Sequence, residues 1–121
     1  MLTLPPSVRI YVAAEPTDAR KSFDSLISLV ESEFELDPRS GHLFLFLNRR
    51  GHLAQLLFWD RNGFWLMRKR LEAGTFSLTK QSCDGARHLE IDSAELALML
   101  EGIELDGAKR RKRYRETRKE N

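Results

Sequence analysis

A chain of 121 residues, 41% of them hydrophobic and with a net charge of +2, has room for one domain around one core. This composition excludes a chain that is disordered throughout, and the single cysteine, Cys83, excludes an internal disulfide. No apolar stretch approaches the roughly 20 residues of a membrane helix, and no signal-peptide pattern opens the chain. We therefore expect a cytoplasmic protein without membrane contact.

The charges are distributed unevenly along the chain. Residues 108–121 carry eight Lys or Arg and two Glu, whereas residues 1–107 carry twelve basic and sixteen acidic residues. We predict a single domain over residues 1–107 and a flexible basic tail over residues 108–121. Because the domain is mildly acidic, it attracts phosphate only through local clusters of cations or through the tail.

The first part of the chain alternates between strand and helix patterns. Residues 8–12 alternate apolar and polar side chains, which predicts a strand with Val8 among its inward-facing residues. Apolar residues then recur at three- and four-residue steps over residues 19–34, which predicts an amphipathic helix capped by Thr17 or Asp18. The uniformly apolar residues 43–47 predict a strand that is buried on both faces.

The middle of the chain is typical of antiparallel strands. Residues 48–51 indicate a tight connection into a strand over residues 53–60. Asn62-Gly63 then favours a type I′ turn, because both residues tolerate positive φ angles, and residues 64–71 form the returning strand. These segments predict a β-meander of at least three strands.

The last part of the domain contains a second helix. Residues 79–88 are polar and give no clear assignment, but Asp92-Ser-Ala-Glu95 matches a capping box and is followed by apolar residues at helical spacing. This pattern predicts an amphipathic helix that ends near Gly102. The chain as a whole predicts an α+β fold: an antiparallel β-meander sheet packed by two amphipathic helices, with a basic flexible C-terminal tail.

The tail holds the densest run of cations in the sequence. Such a run beside an aromatic residue gains affinity for a polyanion by releasing counterions, although basic ends also serve simply to keep proteins in solution. A role in docking another protein is a third interpretation. The residues of the tail that we expect to contact nucleic acid are Lys109, Arg110, Arg111, Lys112 and Arg113.

Three short basic clusters within the domain are candidates for one shared binding surface. The first falls in the first turn of the predicted helix, where cations oppose the helix dipole; either it serves binding, or Asp18 or Asp24 offsets the charge. The third lies at a strand end, where it alternatively guards a sheet edge, and alternation sends its middle residue, Lys69, to the opposite face. The clusters comprise Arg20, Lys21, Arg49, Arg50, Arg68, Lys69 and Arg70.

The aromatic residues around the predicted turn have two interpretations. Trp59, Phe64 and Trp65 flank the turn, and exposed aromatic rings there would stack on nucleic-acid bases. Aromatic residues in a hairpin more often pack against each other across the strands. We favour packing in the core.

The sequence gives no sign of a catalytic or metal-binding site. The three histidines are scattered and Cys83 has no CxxC partner, so we expect no catalytic residue, no metal and no cofactor. The alternative is a magnesium-dependent nuclease, which would require three carboxylates to converge: Asp18, Asp24 and Asp60.

Several motifs in a fixed order resemble the second-open-reading-frame accessory protein, called TnpB, of the insertion-sequence-66 transposon family. The resemblance covers roughly residues 8–103. The motifs are Pro16-Thr-Asp-x-Arg-Lys-x-Phe-Asp-x-Leu26, Ser40-Gly-His-Leu-Phe-x-Phe46, Arg49-Arg-Gly51, Leu57-x-Trp-Asp60, Gly63, and Lys69-Arg-Leu-Glu-x-Gly-x-Phe76. Family members often carry a basic residue where this chain has Ala54-Gln55.

The resemblance implies an accessory protein of DNA transposition that has no established catalytic activity. Such a protein is encoded beside a large DDE-type transposase and a second small protein, so the implied partners are transposon-end DNA, the transposase and the companion accessory protein. Two alternatives stay open: a pure adaptor that docks the transposase without touching DNA, and the magnesium-dependent nuclease. The chain does not resemble the longer RNA-guided nucleases that share the name TnpB.

Overall fold

The computed structural model describes residues 7–76 and 87–101, which form an α+β fold around a five-stranded mixed sheet of order β4-β3-β2-β1-β5. The first helix continues directly into a π-helical turn, Val30–Phe34. The elements are β1 (Ile10–Ala13), α1 (Phe23–Leu29), β2 (Leu43–Leu47), β3 (Leu53–Asp60), β4 (Gly63–Arg70), β5 (His88–Ile91) and α2 (Ser93–Leu100).

Strand β2 is the centre of the sheet. Four of its five residues are buried, which confirms the prediction of a strand covered on both faces. It pairs with β1 on one side, where Leu45 lies opposite Val12, and with β3 on the other, where Leu45 lies opposite Leu56. An uninterrupted apolar sequence is required here because neither face of the strand meets water.

The expectation of a purely antiparallel sheet is wrong. Strands β1 and β2 are parallel, because α1 lies between them and carries the chain back to the end from which β1 started. The polar stretch without an assignment leads into β5, which pairs antiparallel with β1 at the edge of the sheet. Strands β2, β3 and β4 pair antiparallel in sequence order.

Each face of the sheet has its own apolar cluster. One cluster joins the first helix and its π-helical extension to the sheet and contains Ala13, Leu26, Val30, Phe34, Phe44, Phe46 and Leu57. The other joins α2 to the opposite face and contains Ile10, Val12, Leu43, Leu45, Ala54, Leu56, Phe76, Ile91, Leu96 and Met99. Alternation along the strands divides neighbouring residues between the two clusters.

Helix α1 begins later than the sequence predicts, at Phe23 with Ser22 as its N-cap. The Asp18 side chain instead closes a separate turn, in which Oδ1 accepts from the main-chain N of Arg20 at 2.9 Å. Because Asp residues compete for nearby main-chain donors in this way, the turn forms before the helix starts. Arg20 and Lys21 therefore lie outside the helix and do not oppose its dipole.

Helix α2 begins at the predicted capping box. The Asp92 carboxylate accepts from the Glu95 main-chain N at 2.7 Å, and the Glu95 carboxylate accepts from the Asp92 main-chain N at 2.9 Å. Two main-chain donors that the first turn leaves without helical partners are thereby satisfied.

The β3–β4 hairpin turns one residue earlier than predicted. Its two central residues are Arg61 and Asn62, and Arg61 has a φ of 56°. The observed register places Leu57 opposite Leu66, whereas a turn at Asn62-Gly63 would place it opposite Arg68. Pairing of apolar side chains on a buried face therefore outweighs the local preference for an Asn-Gly turn.

Some predictions fall outside the described residues: the basic tail, the domain boundary at residue 107 and Cys83. Within residues 7–76 and 87–101, no helix is long and apolar enough to cross a bilayer.

Phe44 provides a test of the core. It is fully buried, and Phe44→Ala should lower the free energy of unfolding by about 3–5 kcal/mol, because the lost transfer energy adds to the cost of the cavity. Urea denaturation measures this change. The matched control is Phe23→Ala, which removes a ring that is 43% exposed, and an equal loss for both variants would contradict this assignment of the core.

Candidate nucleic-acid interface

The loop after β1 and the turn after β2 lie at the same end of the sheet. They meet there because the carboxyl ends of parallel strands share one edge, which is where open α/β sheets commonly place ligand sites. Thr17, which is buried, fixes the loop by donating its main-chain N–H to the Leu47 carbonyl at 2.8 Å. This hydrogen bond joins the loop to the end of β2, where the turn begins.

Arg20 is held by a two-pronged ion pair with Asp18. Its Nε donates to Asp18 Oδ1 at 3.2 Å and its Nη2 donates to Oδ2 at 2.9 Å. The hydrogen bond from the Arg20 side chain is the main cause that lowers the pKa of Asp18 from 3.8 to about 2. The Arg20 side chain is still 89% exposed, so the pair orients a cation that faces solvent.

The turn that carries Arg49 and Arg50 is held on both sides. Asn48 Oδ1 accepts from the Leu53 main-chain N at 3.0 Å, and the Gly51 carbonyl accepts from the Phe76 main-chain N at 2.7 Å. Gly51 has a φ of +77°, and a Cβ there would lie 3.3 Å from the Thr75 side chain, so the position requires glycine.

Arg49 and Arg50 themselves are exposed. Within residues 7–76 and 87–101, neither arginine has a hydrogen bond or an ion pair. A fixed main chain with two unpaired guanidinium groups suits the binding of an anion, because little backbone order has to be gained on binding.

Arg68 connects the edge strand β4 to the same loop. Its Nη2 donates to the Ala19 carbonyl at 2.8 Å, across 49 residues of sequence. The loop is thus bonded both to the end of β2 and to β4. We call the cations that these segments carry the basic patch: Arg20, Lys21, Arg49, Arg50 and Arg68. A groove of about 520 Å³ runs between the loop and the turn and is lined by Pro16, Thr17, Asp18, Ala19, Asn48, Arg49 and Arg50.

The other two cations of the predicted surface, Lys69 and Arg70, have different surroundings. Lys69 points to the other face of the sheet, where its Nζ donates to the Leu100 carbonyl at the end of α2, at 2.9 Å. Alternation along the strand predicts this separation from Arg68. Arg70 lies on the same face of β4 as Arg68, and its guanidinium group pairs with Glu72 at 3.3 Å. The predicted tail cations, residues 109–113, lie outside the described part of the chain.

A second cavity, of about 440 Å³, adjoins the basic patch on the side of α1. Phe34 and Phe46 line it, together with Lys21 and an ion pair between Arg87 and Glu33. The sequence did not indicate Arg87, because its position depends on the alignment of β5 with β1. That alignment continues into a hydrogen bond from the Ala14 main-chain N to the Arg87 carbonyl at 2.9 Å.

The aromatic residues near the hairpin have different environments. Trp59 and Phe64 pack edge to face with ring centroids 5.0 Å apart, and the Arg39 guanidinium lies over the Trp59 ring at 5.5 Å. The prediction of core packing is wrong for Trp65, whose side chain is 56% exposed and whose Nε1 donates to Asp60 at 3.3 Å. All of these residues lie at the opposite end of the sheet from the basic patch, so they are not available to stack on bases bound there.

The carboxylates of the nuclease alternative do not come together. Asp18 lies at the carboxyl end of β1, whereas Asp60 ends β3 at the hairpin end of the sheet. The length of β3 separates the two ends by about 25 Å. Among residues 7–76 and 87–101, no group of three His, Cys, Asp or Glu could hold a metal ion.

Ala54 and Gln55 of β3 are both buried. Gln55 lies opposite Arg68 in the sheet, and its Oε1 has no hydrogen-bond partner. These side chains therefore do not reach the surface to contact phosphate, and the cations near them come from the loop, the turn and β4.

Comparison with known proteins identifies the family. The family model described as IS66 Orf2 like protein, TnpB_IS66, matches residues 8–110. The chain belongs to this family. Its members are accessory proteins of IS66 insertion sequences, which confirms the family inferred from the sequence motifs. The match includes the loop, the turn and β4, which carry the basic patch.

Two curated relatives of this IS66 Orf2-like protein come from Sinorhizobium fredii (strain NBRC 101917 / NGR234). The relative named y4jC, an uncharacterized protein, is 33% identical over 111 residues, which is 92% of each chain. The relative named y4hO, also an uncharacterized protein, is 36% identical over 104 residues, covering 86% of this chain and 88% of the relative. No solved structure gives a significant match.

The ion pair between Asp18 and Arg20 predicts an unusual titration. In the folded protein Asp18 should titrate near pH 2, and Arg20→Ala should return its pKa toward 3.8, because the largest cause of the lowered pKa is removed. Since the folded pKa lies below the unfolded one, the stabilisation is complete above about pH 5 and is lost as the pH falls toward 2. NMR titration of the Asp18 carboxyl carbon measures this shift.

The control for this titration is Lys21→Ala. Lys21 is the last of the causes that lower the pKa of Asp18, so its removal should leave the midpoint nearly unchanged. A wild-type midpoint near 4 would contradict the two-pronged pair.

Proposed function

We propose that this IS66 Orf2-like accessory protein binds the phosphate backbone of transposon-end DNA through the basic patch. The observation that supports this proposal is the convergence of three separate segments on one surface: the loop after β1, the turn after β2, and Arg68 of β4. Clustered guanidinium groups suit phosphate because their donors match its oxygens in pairs. Contacts of this kind position a protein on DNA without reading its sequence.

The charge of the rest of the protein favours such a local mode of binding. Residues 1–107 carry more acidic than basic residues, so the domain as a whole does not attract DNA. The Asp18 carboxylate, which lines the groove, is engaged by Arg20. The uncompensated positive charge is therefore greatest at Arg49 and Arg50, beside the groove.

The proposal includes a second contact, through the tail. In this proposal the basic residues 108–121 follow a domain of residues 1–107, and Lys109, Arg110, Arg111, Lys112 and Arg113 hold DNA without sequence preference. The protein acts without catalysis, cofactor or metal, in the cytoplasm, and presents DNA to the transposase and its companion accessory protein. Membership of an insertion-sequence accessory family supports this role.

Removal of the Arg49 and Arg50 side chains tests whether the basic patch binds DNA. Arg49→Ala with Arg50→Ala should weaken binding to a transposon-end duplex and reduce the slope of log K against log salt by up to about 1.8, since each neutralised phosphate contributes about 0.9. Fluorescence anisotropy across a series of NaCl concentrations measures the slope.

A matched double variant controls for net charge. Arg39→Ala with Arg61→Ala removes the same charge from exposed side chains at the hairpin end of the sheet. The slope of log K against log salt for this variant should equal that of the wild-type protein. Equal effects of the two double variants would mean that DNA responds only to overall charge and would exclude the patch as the binding site.

Deletion of residues 108–121 tests the tail. The truncated protein should keep the thermal unfolding transition of the full chain but bind DNA with a smaller salt slope, because eight cations are removed. Identical slopes for the two proteins would exclude the tail from DNA binding, and loss of the unfolding transition would show that the domain extends beyond residue 107.

The alternative of a pure adaptor predicts a different result in the same measurements. Such a protein would give no anisotropy change with DNA even at low salt, yet it would co-purify with the transposase. Co-purification from cells that express the transposase, with and without nuclease treatment, separates a direct protein contact from one bridged by DNA.

A further inference from the structure

Strand β4 lies at the edge of the sheet, and the main-chain groups on its outer side have no strand partner among the described residues. The main-chain N of Leu71 donates to the His52 carbonyl at 2.8 Å, and this contact continues the register of β3 and β4. Because main-chain groups alternate in direction along a strand, the odd-numbered residues of β4 face β3 and the even-numbered residues face outward. Within residues 7–76 and 87–101, nothing pairs with the outward main-chain groups of Phe64, Leu66 and Arg68.

Edge strands are commonly guarded by charged side chains, but those of β4 are engaged within the protomer. Arg68 donates to the Ala19 carbonyl, Lys69 donates to the Leu100 carbonyl, and Arg70 pairs with Glu72. Each cation is thereby drawn away from the edge. The charges consequently do less to prevent another strand from approaching than free lysines or arginines would.

Beside this edge lie the two most exposed large apolar side chains of the described residues. Trp65 is 56% exposed and Met67 is 47% exposed, and both point to the face of the sheet that carries α2. Trp65 and Met67 together form an apolar surface beside the outer edge of β4, and burial of such a surface is favourable.

We propose that two copies of this chain pair antiparallel through β4, with Leu66 on the two-fold axis, and form one continuous ten-stranded sheet. In this register Trp65 lies opposite Met67 of the second copy, so the four exposed apolar side chains cover one another. Arg68 lies opposite Phe64 and Lys69 lies opposite Gly63, so the cationic half of each strand meets the aromatic half of the other. Parallel pairing would instead set cation against cation.

The strand is self-complementary in its hydrogen bonds as well as in its charges. Pairing about Leu66 aligns the outward main-chain groups of Phe64 with those of Arg68 and keeps the α1 faces of both copies on the same side. The two Arg68 residues then lie on one face, four strand residues or about 13 Å apart along the strand direction. The dimer therefore presents both Arg68 side chains on one face and carries the rest of the two basic patches at opposite ends of the continuous sheet, and it exists whether or not those patches bind DNA.

Sedimentation equilibrium of the full chain tests the dimer. Wild type should show a reversible, concentration-dependent mass of twice 14.1 kDa. Trp65→Lys with Met67→Lys should give a folded monomer, because lysines would face each other across the axis. Trp65→Lys with Met67→Glu should restore the dimer, because each new lysine would then lie opposite a glutamate.

Three results of this experiment would overturn the proposal. The first is a wild-type protein that stays monomeric at every concentration. The second is a dimer that persists in the variant with lysine at both positions, and the third is a folded monomer for the variant with lysine at 65 and glutamate at 67. Circular dichroism establishes that each variant is folded.

Amide hydrogen exchange of the wild-type protein tests the dimer without any substitution. The amides of Phe64, Leu66 and Arg68 should become protected as the protein concentration rises. Protection that is independent of concentration would mean that another part of the same chain covers the edge. Protection that appears only when the transposase is added would assign the edge to that partner. Either result would overturn the proposal.

Discussion

Burial of β2 on both faces is the constraint on which the rest of the structure depends. An apolar strand of this kind must have a neighbour on each edge and a helical layer on each face, because its main-chain groups and its side chains are all removed from water. The parallel neighbour β1 and the antiparallel neighbour β3 supply the edges. The faces are covered by α1 and α2.

The parallel pairing of β1 and β2 also determines where the surface charges go. Since α1 crosses over between the two strands, the segments after both strands emerge at one end of the sheet, and the hydrogen bond between Thr17 and Leu47 holds them there. The hairpin of β3 and β4 returns to that end and delivers Arg68. Cations that are separated by almost 50 residues of sequence thus become neighbours through topology.

The two ends of the sheet differ in chemistry as a result. The end with the basic patch carries Arg49 and Arg50 beside a groove, and neither has an ion pair with the residues that the structure describes. At the hairpin end the charged groups are engaged with aromatic rings: Arg39 lies over Trp59, and Asp60 accepts from Trp65. Matched charge substitutions at the two ends are therefore informative. They change the net charge by the same amount, but they change the electrostatic potential at different places.

The amino-acid sequence by itself determined the elements whose signals are local. The apolar run of β2, the capping box of α2 and the alternation that separates Lys69 from Arg68 all depend on residues within a few positions of one another. The order of short motifs was sufficient to identify the IS66 Orf2-like family. Only the tertiary structure decided the parallel register, the strand β5, the earlier turn at Arg61 and the exposure of Trp65, because each of these depends on how separate segments pair. The late start of α1 has a local cause instead, the hydrogen bond from the Arg20 main-chain N to the Asp18 side chain, which competes with the helix.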